Sequence, residues 1–188
     1  MDSRTHLVEV TAALLWRQGL RATGLAQILD ESGVKRGSLY FHFPGGKEEL
    51  AVVALRAAGA TMTANIREAL SHRSAPTAIR RFVESYARQM EESGFHHGCP
   101  IATVALEAST KSEPLREVCA AVFAEWEGLL AARLEQDGVG RRDARRQAAV
   151  ILSALEGAMI LCRARRSTEP LRWVAAHLVA ALEGGRRA

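Results

Sequence analysis

The chain has 188 residues, 48% of them hydrophobic, with a net charge of +4 and a pI near 9.3. Length and apolar content exclude a disordered chain and suit one medium domain or a small module fused to a larger one. The mild positive balance permits a nucleic-acid partner without demanding one, and no uninterrupted apolar run reaches the roughly 18 residues of a membrane-spanning helix.

Nothing alternates like a strand, and Ala, Leu, Arg and Glu dominate, so the expectation is an all-α chain of about nine helices. The N-terminus opens with Asp2 and Arg4 and does not resemble a signal peptide. A first helix is expected from about Ser3 to Gln18, with Leu7, Val10, Leu14 and Leu15 on one face and Gly19 as its stop. The second should start after Thr23, read as its N-cap, and end before Gly33. The third spans about Lys35 to Phe41. Pro44, Gly45 and Gly46 then break the chain ahead of a long fourth helix from Lys47.

Ser74 followed by Pro76 opens a fifth helix that closes at Gly94, and Pro100 opens a short sixth. Ser112, Glu113 and Pro114 start a long seventh that ends near Gly138. The last two helices run from about Arg142 to Arg165 and from about Glu169 to Leu182. Two domains are expected, a head over 1–50 and a larger helical body over 51–188.

Helix, glycine turn and short second helix make the layout of a helix-turn-helix, whose second helix enters the major groove. Lys35, Arg36 and Lys47 are the cations between Gly33 and Lys47, a stretch without Asp or Glu. Gly37 and Ser38 keep the front of the third helix small. Leu39 and Phe43 should face inward, while Tyr40, Phe41 and His42 crowd the opposite side. The same spacing also suits an ordinary helical hairpin with a solvated basic face.

The run GVKRGSLYFHFPGGKEEL, Gly33 to Leu50, resembles the signature of the TetR family of transcriptional regulators, and residues 3 to 50 match its DNA-binding part throughout. The extra glycine in Pro44-Gly45-Gly46-Lys47, with Gly98-Cys99-Pro100-Ile101 downstream, resembles the LmrA/YxaF-like branch. The resemblance implies an all-helical homodimer that binds a pseudo-palindromic double-stranded operator. In that family the last two helices form a four-helix interface, and a small-molecule effector in the body changes the spacing of the heads. Carried onto matching positions, it makes Thr23, Lys35, Arg36, Gly37, Ser38, Tyr40, Phe41, His42 and Lys47 the expected DNA contacts. Lys35 stands where a small hydroxyl residue is common, and Phe41 where a tyrosine is frequent. Both departures bear on which operator is read.

In the body, Tyr86, Cys99, Glu107, Trp126, Glu156 and Met159 are candidates to line an effector pocket, although any one of them also fits a plain core. Glu107 and Glu156 sit within apolar runs, where a carboxylate needs a partner or solvent. Ile151, Leu152, Leu155 and Met159 with Leu171, Val174 and Leu178 form two stripes expected at the dimer interface, with intramolecular packing as the alternative.

The expected function is thus a ligand-responsive regulator, a repressor released by a small apolar or aromatic effector, in the cytoplasm and without a cofactor. Two other readings stay open: a helical enzyme using Glu107 and Glu156, and a thiol-based redox sensor through Cys99. A third, a purely structural helical adaptor, leaves the cations of the third helix unexplained. No nucleotide-binding glycine loop, nucleophile elbow or HExxH helix supports an enzyme. His96, His97 and Cys99 cluster in one loop, but three cysteines at these spacings match no zinc pattern, and no metal is expected.

Overall fold

The computed structural model describes residues 2–184, and among them the chain forms nine α-helices and no strand. They are α1 (Ser3–Ala22), α2 (Leu25–Ser32), α3 (Arg36–His42), α4 (Gly46–Leu70), α5 (Ala75–Glu92), α6 (Pro100–Ala108), α7 (Glu113–Gln136), α8 (Arg141–Arg165) and α9 (Glu169–Gly184). The chain folds as two compact units. One takes residues 1–61 and 99–122, and the other takes 62–98 and 123–188. The change of unit falls inside α4, the helix that also holds residue 50, and inside α7.

In the first unit α1 packs against α2, α3 and α6. Its core holds Leu7, Leu14, Leu15, Ile28, Leu39, Phe43, Leu50, Leu55, Ile101 and Val104. Leu7, Leu14 and Leu15 recur at helical spacing, so burying that stripe fixes the rotation of α1. Gly19 stops the regular helix at φ 78° and ψ −178°, a conformation almost confined to glycine, and one more turn follows to Ala22. The sequence made Thr23 the cap of α2. Instead Gly24 stands at that position, and Thr23 is wholly buried with its hydroxyl donating to the Gly19 carbonyl at 2.6 Å. Gly33, at φ 64°, ends α2 in the left-handed conformation that turns the chain towards α3.

In the second unit α9 packs on α5 and α8. Ser74 caps α5 by accepting from the Thr77 amide at 3.4 Å, and Pro76 sits in the first turn. Asp137 accepts from the Ala75 amide at 2.6 Å and forms an ion pair with Arg133, which also donates to the Arg73 carbonyl at 2.8 Å. Trp126 is buried with its indole N–H donating to the Thr63 hydroxyl at 2.9 Å, as a buried indole requires.

The last long helix in the body, α8, corrects a sequence expectation. Over its most apolar 18 residues its mean hydropathy is 1.4, so by length and composition it is apolar enough to cross a membrane. The run missed on reading because Ser153, Glu156 and Gly157 interrupt it. Part of that apolar content is core: Ala148, Ile151, Leu155, Ala158, Met159 and Cys162 are buried within the unit.

Candidate nucleic-acid interface

The short α3 has seven residues and two sides. Leu39 and the following Phe43 are fully buried, which anchors the helix to α1. At 100° per residue, Arg36, Tyr40, Gly37 and Phe41 then share one outward arc, and all are exposed. Lys35 precedes them, exposed, and Ser38 and His42 lie half-buried at the edges. Phe41 is 79% exposed and Tyr40 45%. The Phe41 ring meets His42 edge-on, centroids 5.1 Å apart at 77°.

Among the described residues, the Lys35 and Arg36 side chains enter no ion pair. Lys35 and Arg36 stand at the start of α3, where a helix disfavours cations, and its first turn holds no acid. Arg17, on α1, does pair with Glu31 on α2 at 3.0 Å, and Gln27 and Gln18 extend that brace. The brace is exposed and contributes little stability, but it fixes α2 relative to α1.

Two expected DNA contacts have polar atoms bonded within the protein. Thr23 is buried on the Gly19 carbonyl, as described. The half-buried Lys47 donates its ammonium to the Leu20 carbonyl at 3.0 Å. The partner on the other side of that residue is Glu107 of α6, whose carboxylate accepts the amides of Leu20 at 2.6 Å and Arg21 at 3.1 Å. These amides are exposed by the break at Gly19, and a carboxylate satisfies them as a cap would. Sequence reading missed this clamp. Its signals were a glycine ending α1 and an acid within an apolar helix, but nothing in the sequence joins residues 87 apart.

The six effector candidates divide between the units. Cys99 and Glu107 belong to the first, and Tyr86, Trp126, Glu156 and Met159 to the second. Glu107 also lines a cavity of about 390 Å³ with Leu20, Arg21, Lys47 and Lys111. Cys99 is buried and caps α6 by accepting from the Ala102 amide at 3.4 Å. Tyr86 stacks on Phe82 at 5.6 Å and lines a cavity of about 430 Å³ with His72, Arg81, Glu84 and Arg88. Trp126 and Met159 are buried, and Glu156 is half-buried on α8. Neither unit by itself holds Glu107 and Glu156 together, so no acid–base pair forms within either.

Among the described residues no group of three or more His, Cys, Asp or Glu side chains is arranged to hold a metal. Burial pushes the Cys119 thiol up to about 11 and raises that of Cys162, which keeps both protonated and unreactive at neutral pH.

The interface stripes also differ from expectation. Ile151, Leu155, Met159, Leu171 and Leu178 are buried inside the protomer, while Leu152 and Val174 are half-buried. The exposed apolar residues of these helices are Val150, Ile160 and Leu161 on α8 and Trp173 on α9. The helix α8 is therefore apolar on two opposite sides, and the side with Ile151, Leu155 and Met159 packs within its own unit.

Two family models match the chain. Residues 7–54 match the bacterial regulatory proteins of the tetR family, and residues 75–177 match the C-terminal domain of the LmrA/YxaF-like transcriptional regulators. The chain belongs to the TetR family of transcriptional regulators.

This TetR-family chain is 37% identical to the HTH-type transcriptional regulator YxaF of Bacillus subtilis, over 93% of its own length and 92% of that protein's. It is 34% identical to the transcriptional regulator LmrA of the same organism, over 90% and 91%. A TetR transcriptional regulator from Chloroflexus aurantiacus has the same fold in its crystal structure, with a TM-score of 0.82 and 28% identity over 96% of this chain and 94% of that one. These relatives are DNA-binding regulators and not enzymes, so the exposed arc of α3 belongs to a DNA-binding regulator.

Proposed function

We propose that this TetR-family regulator is a homodimeric, ligand-responsive repressor of the cytoplasm. The observation that carries the reading is the outward arc of α3. Arg36, Gly37, Tyr40 and Phe41 face away from the core, Lys35 adds charge, and no acid offsets it. In this reading Lys35, Arg36, Ser38, Tyr40, Phe41 and His42 touch the duplex. Thr23 and Lys47 act instead on the path of the chain into α2 and α4, since their polar atoms are already bonded to Gly19 and Leu20. The head, residues 1–50, supplies these groups, and the remainder supplies effector binding and dimerisation.

The second apolar side of α8 supports the dimer. Val150, Ser153, Gly157, Ile160 and Leu161 fall on one exposed stripe, and a Cβ added at Gly157 would meet nothing, so a neighbouring helix can approach closely. Two heads on a pseudo-palindrome then bind with linked affinity. A dimer lying across a promoter blocks other proteins by occupancy alone, which makes repression the simplest outcome. The cavity beside Phe82 and Tyr86 supports an effector with an aromatic face, and His72, Arg81, Glu84 and Arg88 add polar groups at its rim.

The test is selection of bound duplexes from a random pool, followed by titration of the winner at two salt concentrations. A two-half-site palindrome held well above random DNA is expected. Weak binding to every duplex alike, equally sensitive to salt, overturns the reading of a specific operator. A thermal-shift screen of aromatic compounds, followed by operator release, tests the effector.

A further inference from the structure

We propose that Phe41, with Gly37 one turn before it, reads the 5-methyl group of a thymine in each operator half-site. The proposal rests on the reading of α3 as the helix that enters the major groove, and it names what one position of that helix recognises.

Phe41 has no polar atom, so it cannot bond a phosphate or the hydrogen-bonding edge of a base. At 79% exposure it is also the most exposed large apolar side chain of α3. In the major groove the apolar group offered by an A·T pair is the thymine methyl, which a phenyl ring can cover. The ring meets the half-buried His42 edge-on and leaves most of its surface open to a partner.

Gly37 is the second observation. It lies within α3 at the fourth position before Phe41, and therefore on the same exposed arc. A glycine inside a helix costs about 1 kcal/mol against alanine. Nothing in the protein calls for it here: Gly37 is not among the residues at positive φ, and an added Cβ would meet no atom within 4 Å. The room it leaves is on the outer side, on the arc that also carries Phe41. A bare backbone position and an exposed phenyl one turn apart suit a methyl group and its base edge.

The test uses the operator selected from the random pool. Each thymidine of both half-sites is replaced in turn by deoxyuridine, which removes the methyl group and nothing else. At one position per half-site the wild-type protein should lose about fourfold in affinity for each methyl removed. Phe41→Ala should bind the thymidine operator more weakly and treat the two forms alike, and Phe41→Leu should keep part of the preference. Gly37→Ala should raise thermal stability and yet weaken operator binding, a split that a purely structural glycine would not give. Wild-type indifference to deoxyuridine at every position, or an unchanged preference in Phe41→Ala, overturns the thymine assignment while operator binding stands. Failure to enrich any duplex overturns the groove reading of α3 and this proposal together.

Discussion

The backbone of Leu20 is held at both its polar groups, its N–H by Glu107 and its C=O by Lys47, directly after Gly19 breaks α1. That arrangement explains why the break needs a glycine. At Gly19 a Cβ would sit 2.7 Å from Glu107 Oε1 and 2.9 Å from Thr103 Cγ2, on a backbone that side chains rarely adopt. Gly19→Ala should therefore lose about 2–3 kcal/mol of stability in urea unfolding, the sum of backbone strain and a displaced carboxylate. An unchanged midpoint would show that the clamp does not hold α1. Arg166 is the opposite case. It ends α8 at φ 48°, and the Ser167 amide donates to the Cys162 carbonyl at 3.2 Å, so arginine fills the cap position that glycine favours. Arg166→Gly should raise the thermal midpoint, by about 1 kcal/mol in free energy. A fall would mean that the arginine side chain contributes more than its backbone costs.

Helix by helix, the apolar periodicity told which segments are helices but not always which neighbour each stripe meets. The stripe on α1 was readable because that helix has one apolar side. On α8 there are two, and the side carrying Ile151, Leu155 and Met159, for which spacing left a partner and intramolecular packing open, meets the protomer's own core. Local spacing cannot tell these apart, because both sides obey the same 3.6-residue period. Capping was legible where a side chain caps, as at Ser74, and illegible at α2, where Thr23 turns back to Gly19 and leaves the cap to Gly24. The two sides of the last helices separate in experiment. Trp173→Glu, on the exposed side, should leave thermal stability of the protomer little changed and shift sedimentation from dimer towards monomer. Met159→Ala, on the buried side, should cost about 2–5 kcal/mol of stability. If Trp173→Glu remains dimeric, the outward stripe is not the interface.

Across the molecule, the sequence run from Gly33 to Leu50 carried the family, since its helix, turn and cation spacing all lie in one contiguous stretch. The clamp and the compact units depend on contacts between distant residues, and α6 joins the first unit although it follows α5 by sequence. This difference sorts the basic residues into two roles, and salt dependence can tell them apart. A cation that neutralises phosphate releases a counterion, and the slope of log K against log salt changes by about 0.9 per contact on duplex DNA. Lys35 is exposed and forms no ion pair among the described residues, so Lys35→Ala should flatten the slope by about 1.8 for a dimer, with similar losses on operator and random duplexes. Arg36→Ala should cost about 1–3 kcal/mol on the operator and less on random DNA if it reads a guanine. Lys47 already serves the Leu20 carbonyl. Lys47→Ala should therefore weaken operator binding by loosening the joint between α1 and α4, while its slope stays near that of the wild type. A slope change for Lys47→Ala as large as that for Lys35→Ala would show that the ammonium leaves Leu20 for a phosphate when DNA is bound.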